Sequence, residues 1–267
     1  TFIRSWGKSD VAPPSSTVNL TFVYATQSAF AALQKNGSVI AWGDEDYGGK
    51  TPASNINKDI ADIYSTERAF AALKTTGKVI CWGDLNYGGS TPSSTINKDI
   101  VSIFSTERAF AALKTTGEVI SWGDPSYGGN TPSPNVNQDI TMVFASERAF
   151  VALKKNESVI AWGLVQKDQP IVAPDASTNN NILTVFSTAT SFAALQKNGN
   201  VVTFGHANQG GDFYWGGDWE KNENGKRQQT NRSSIVSIAT ADNTTAVAPN
   251  TAERRRKQQH ENGSITK

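Results

Sequence analysis

Three aspartates, Asp44, Asp84 and Asp124, recur every 40 residues, and each is followed three positions later by a tyrosine: Tyr47, Tyr87 and Tyr127. Carboxylates and phenol rings repeated around one rim suit a sugar or a peptide, with the acids accepting hydrogen bonds and the rings supplying flat contact area. The other use of the same residues is structural, Asp bonding the backbone of its own turn and Tyr covering a sheet edge. A calcium loop would need carboxylates at alternating positions, yet Asp46 becomes Asn86 and then Ser126, so no metal site is expected. A second charged pattern, Glu67-Arg68, Glu107-Arg108 and Glu147-Arg148, keeps the same interval. It predicts either ion pairs between neighbouring units, worth about 0–1 kcal/mol each when exposed, or a charged ring that holds an anion.

Other reactive residue types are scarce. The single cysteine, Cys81, stands where Ala41, Ser121 and Ala161 stand in the other repeats, so it reads as a small strand residue and not as a nucleophile. His206 and His260 are far apart and have no partner at metal-ligand or triad spacing. The expectation is a chain with no catalytic constellation, no metal and no cofactor. Lys plus Arg totals 25 against 24 for Asp plus Glu, so no global field draws the molecule to nucleic acid. The basic run at 253–260 reads as a solvated loop. No apolar run approaches the roughly 20 residues of a membrane helix. Asn-x-Ser/Thr sequons at Asn19, Asn36, Asn156, Asn231, Asn243 and Asn262 are too easily met by chance in this composition to establish secretion. The compartment stays open, with a secreted or surface-associated location favoured over an intracellular one.

The elements that must position these residues follow from the repeat. The phrase AFAAL or a close variant begins at Ala29, Ala69, Ala109 and Ala149, spaced by 40, and SFAAL follows at Ser191. A second phrase keeps that register: AWGDEDYGG, CWGDLNYGG and SWGDPSYGG, then the shortened AWG at Ala161 and TFG at Thr203. Such a period belongs to propeller blades and solenoid units. Within each unit an alternating run such as DIADIY precedes AFAALK, a turn such as KNGS or TTGK, and then VIAWG, which reads as a small antiparallel sheet. Asn36-Gly37 and Asn198-Gly199 predict two-residue type I′ hairpin turns. The Ala-rich strand is expected innermost, where strands crowd. The Trp is expected to wedge between units with its indole N–H on a carbonyl, and the Gly after it to take positive φ.

The chain starts with FIRSWG, the second half of a unit, and finishes with a degenerate first half, SIVSIATADNTTAVA, then NGSIT. Six first halves and six closing phrases predict an all-β propeller of six blades, with seven as the alternative, closed by pairing of the terminal half-repeats. The phrases AALKTTGKVICWGDLNYGG and AALKTTGEVISWGDPSYGG resemble the RCC1-like propeller superfamily, and look closest to its compact BLIP-II-like branch with units of about 40 residues. The resemblance implies one domain over 1–267, with an insertion at 206–234, and binding through variable loops. A non-enzymatic protein-binding module or scaffold subunit is therefore expected. A lectin-like, glycan-binding propeller is the alternative, and guanine-nucleotide exchange and enzyme inhibition rank below both.

The most distinctive loop is that insertion. Phe213, Tyr214, Trp215 and Trp219 lie among glycines and charges there, as in a recognition loop that needs contact area with few rotamers. Residues 163–181 replace the Tyr-Gly-Gly turn of the fourth unit and are expected to flank it.

Overall fold

The computed structural model describes residues 19–211 continuously and, beyond them, three short strands. The first four units comprise β1 (Leu20–Ala25), β2 (Ala29–Gln34), β3 (Val39–Gly43); β4 (Ile60–Ser65), β5 (Ala69–Lys74), β6 (Val79–Gly83); β7 (Ile100–Ser105), β8 (Ala109–Lys114), β9 (Val119–Gly123); and β10 (Ile140–Ala145), β11 (Ala149–Lys154), β12 (Val159–Gln166), β13 (Gln169–Pro170). The fifth holds β14 (Ile182–Ser187), β15 (Ser191–Gln196) and β16 (Val201–Gly205). The remaining strands are β17 (Tyr214–Trp215), β18 (Trp219–Lys221) and β19 (Arg227–Gln229), the last two pairing antiparallel. Contacts divide the chain into Thr1–Tyr214 and Trp215–Lys267. The first of these is an all-β row of repeated antiparallel sheets of three or four strands, consistent with a propeller-like fold.

Sheet order follows chain order, so AFAAL is the central strand of each sheet. The first strands, β1, β4, β7, β10 and β14, adjoin one another from unit to unit, and β2, β5, β8 and β11 each also approach the first strand of the next unit. The expectation that the Ala-rich strand lies innermost is corrected accordingly. Alanine is needed at this place because a central strand is covered on both faces: Ala69, Ala71 and Ala72 are all fully buried. Ala69, Ala71, Leu73 and Val79 face the next unit, whose Ile100, Ile103, Phe110, Ala112 and Ile120 complete one apolar cluster. The core is thus a series of sandwiched layers between units, and each fully buried Phe contributes about 1.5–3 kcal/mol.

The hairpins differ from expectation. Gly37 and Gly199 take positive φ, but Asn36 and Asn198 do not, as a type I′ turn would require. Gly37 N–H donates to Gln34 O and Gln34 N–H to Ser38 O, which is the three-residue type I turn closed by a glycine bulge. Where the fourth unit lacks that glycine, Glu157 itself adopts φ 64°.

In the first four units the third strand would leave open the edge beside its first residues, and the following linker seals it. Asn97 accepts from Val79 N–H at 2.7 Å and donates to Val79 O at 2.8 Å, so its amide imitates a paired strand. Asn57, Asn137 and Asn179 do the same for Val39, Val119 and Val159. Farther along the edge Thr91 Oγ1 accepts from Cys81 N–H, and Thr51 and Thr131 repeat the contact. Since Asn97 is buried, Asn97→Ala would strand two backbone groups of Val79. Urea unfolding should show a loss of about 2–3 kcal/mol, whereas the exposed Asn86→Ala should cost little.

Candidate functional site

The strands have two ends, and the repeated polar residues gather at one of them. There the turn joining first to second strand meets the turn that follows the third strand. Asp44, Asp84 and Asp124 cap short 3-10 turns, each carboxylate accepting from the backbone N–H two residues on, at Asp46, Asn86 and Ser126. One oxygen of each carboxylate, Oδ1, is therefore engaged by its own turn, in line with the structural use of these residues.

The tyrosines do not stand out from the rim either. Tyr87 and Tyr127 are buried, and their rings alternate with the repeated arginines. The Arg68 guanidinium lies 4.7 Å from the Tyr47 ring centre and 4.9 Å from that of Tyr87; Arg108 lies 4.9 Å from Tyr87 and 4.7 Å from Tyr127; Arg148 lies 4.5 Å from Tyr127. The result is a continuous cation–π stack, Tyr47–Arg68–Tyr87–Arg108–Tyr127–Arg148, running across three unit boundaries. The expected ion pairs between neighbouring units do not form: no Glu67, Glu107 or Glu147 carboxylate lies in a salt bridge among the described residues. Instead, the glutamates join units by backbone. Gln27 N–H donates to Glu67 O, Glu67 to Glu107, Glu107 to Glu147, and Glu147 to Ala189 O, all at 2.8–3.0 Å.

That relay crowds three carboxylates. Burial pushes the Glu107 carboxyl above its ordinary value, and Glu67 and Glu147 add to the effect against the opposing pull of Arg108 and Arg148. Burial likewise raises the Tyr127 hydroxyl, with Arg148 and Arg108 opposing. Burial drives the Cys81 thiol far above its usual range, so it stays protonated, as a small strand residue should.

Sequence reasoning missed the residues that tie the two turns together. Thr66 Oγ1 accepts from Ala69 N–H and lies 2.9 Å from Tyr87 O, and Thr106 repeats both contacts with Ala109 and Tyr127. Their signal was present in the recurring STER phrase. The Trp expectation holds from the second unit to the fourth, where Trp82, Trp122 and Trp162 each donate from Nε1 to a glycine carbonyl of the preceding unit, Gly48, Gly88 and Gly128, at 3.0–3.1 Å, but not for Trp42, whose buried Nε1 has no partner among the described residues.

The pattern stops at the fourth unit. There β12 runs on and turns back as β13, and Val165 and Ile171 pack on Phe192 and Phe204 in place of a glycine turn. Phe204 replaces the Trp, so indole donor and carbonyl acceptor disappear together. His206 stands in the capping position and reaches Gln166 Oε1 at 2.8 Å, while its buried Nδ1 has no partner. Of the four aromatic residues in the insertion, Phe213 lies outside the described residues. Tyr214 and Trp215 form β17, and Trp219 begins β18.

No protein-family model matches the chain, and no curated protein does. Among solved structures, Prp20p of Saccharomyces cerevisiae is similar at 16% identity and a TM-score of 0.48, covering 73% of this chain and 59% of its own. The ectodomain of the Physcomitrella patens receptor kinase CR4 gives 19% and 0.48, with 73% and 53% covered. The CRINKLY WD40 ectodomain of the Arabidopsis thaliana receptor kinase ACR4 gives 16% and 0.46, with 74% and 71% covered. The chain is distantly similar to RCC1- and WD40-type chains, in fold alone. It spans little more than half the length of the first two.

Glu107 offers a direct test of the crowding. Because its folded value is raised, the folded protein binds the proton more tightly than the unfolded chain, so charge at this place opposes folding above the carboxylate range. Glu107→Gln should raise the melting temperature slightly at pH 7, and the gain should vanish as pH falls through that range, where the wild-type carboxyl is neutral too. Differential scanning calorimetry against pH checks both.

Proposed function

We propose that this chain is a non-enzymatic protein-binding module, a scaffold of propeller type whose partner contacts lie where the repeat is broken. The observation that carries this is the use to which the repeated polar residues are put. Asp44, Asp84 and Asp124 cap turns, and both neighbours of the Tyr87 and Tyr127 rings are guanidinium groups, so the regular rim is occupied with holding itself together. Variation is left to residues 163–181 and to the insertion at 206–234. The glycan-binding alternative has less support, since a sugar would need a free face on those same rings.

The same reading places the chain with the compact RCC1-like, BLIP-II-like repeats and closes it with a sixth, composite blade from its two terminal half-repeats. Two features of the first unit support a further neighbour. Phe30 is 40% exposed whereas Phe70, Phe110 and Phe150 are fully buried, and the buried Trp42 Nε1 lacks the carbonyl that its equivalents have.

Cross-linking mass spectrometry from a native extract, with the full chain as bait, tests the function. Replacing Tyr214, Trp215 and Trp219 with Ala should reduce partner capture at least tenfold while the melting temperature holds. Unchanged capture would remove this loop from the binding surface. Deleting residues 1–18 tests closure: a closed ring should lose stability, and an unaltered melting temperature would indicate an open row.

A further inference from the structure

The two ends of the strands carry opposite charge. At the hairpin end lie the second-to-third-strand hairpins and the linker segments that bond to them, as Ile60 N–H bonds to Gly37 O and Ile100 N–H to Gly77 O. Every lysine of residues 19–211 except Lys50 and Lys167 belongs to this end, and Lys35, Lys58, Lys78, Lys98, Lys155 and Lys197 are exposed there. Within residues 19–211 lysines outnumber carboxylates at this end by three to two, and only Lys114 and Lys197 of these lysines are ion-paired, with Glu118 and Glu157. The turn end has the reverse balance. Across residues 44–148 it carries Asp44, Glu45, Asp46 and Glu67, then Asp84 with Glu107 and Asp124 with Glu147, eight carboxylates against Lys50, Arg68, Arg108 and Arg148, and the β12–β13 turn adds Asp168 and Lys167. Its arginines are held inside the tyrosine stack, and the first turn exposes Glu45 and Asp46, of which Glu45 pairs with Lys50 at 3.5 Å while Asp46 is in no salt bridge among the described residues.

We propose that the hairpin end of one copy docks on the turn end of a second copy, head to tail. Going beyond the interaction-module reading, this names one partner as the chain itself. Charge sign is the first reason. The second is commensurate spacing: Lys58 and Lys98 at one end and Glu67 and Glu107 at the other are carried by the same pair of units, so both patterns advance by the same unit-to-unit step. The third is that the lysines alternate with Asp59, Asp99 and Asp139, whose charge would repel a uniform polyanion but suits a surface of mixed sign. Each cross-pair is worth at most about 1 kcal/mol, so several must act together and salt must weaken them. A head-to-tail contact between unlike surfaces is heterologous and extends beyond a dimer unless rotation closes it.

Sedimentation velocity on the full chain tests this. At about 0.01 M ionic strength, where charges act over roughly 30 Å, association beyond a monomer is expected, and at about 1 M it should dissociate. The pair K58E/K98E makes both ends acidic, and the pair E45K/D46K weakens the acidic end. Each variant alone should associate at least tenfold more weakly than wild type. An equimolar mixture of the two should recover association, because each variant then supplies the end its partner lacks. A monomer at low ionic strength overturns the proposal, as do variants that associate like wild type, or lysine-dependent binding of polyglutamate or duplex DNA by a chain that never self-associates. The partner-capture experiment reads the aromatic loop, which neither pair touches, so the two readings can fail separately.

Discussion

A glycine turn lies flat on the Phe–Trp pair of the next unit, and the described structure depends on that joint. A Cβ on Gly88 would come within 2.6 Å of the Phe110 ring, so only glycine admits the approach, and φ of +90° at this residue reinforces the choice. Phe110 and Trp122 are cross-strand partners with rings stacked 5.4 Å apart, forming a flat floor. The indole then donates to Gly88 O. One contact therefore combines shape, apolar burial and a satisfied polar group, and it repeats from unit to unit.

The tyrosine of the same turn extends the joint outward. Because Tyr87 is placed by the glycines behind it, its ring can receive Arg68 from its own unit and Arg108 from the next. The glutamates beside those arginines are held by their backbone, which is why their carboxylates end up crowded and unpaired with the guanidinium groups next to them in sequence. Interaction between units is thus carried by three parallel devices: the apolar layer, the cation–π stack and the backbone relay. Loss of the Tyr-Gly-Gly turn after Trp162 ends the stack at Arg148, and the β12–β13 hairpin supplies apolar cover with Val165 and Ile171 instead.

Much of this was legible in the chain. The 40-residue register placed the strands, the hairpins and the Trp contact, because strand alternation and glycine conformations are local properties. The turn-capping Asp was visible for the same reason. The Asn clamps were not recognised, although INKDI repeats as plainly as AFAAL, because an amide that replaces a missing strand depends on a linker doubling back 18 residues later. The hairpin type was misread because Asn-Gly permits two turns and the strand register selects between them. The fate of Glu-Arg was misread because adjacency in sequence says nothing about which side chain meets a ring from another unit.

Residue order alone established the repeat, the antiparallel sheet within each unit and the places where copying lapses, since each rests on short-range geometry. Tertiary structure decided which polar residues are spent on the frame. Asp84, Tyr87 and Arg108 could have formed an open recognition rim, and only the packing of one unit on the next shows them occupied with each other. It also gathered most of the described lysines at one end of the strands and left an excess of carboxylate at the other, an imbalance that an almost neutral composition conceals.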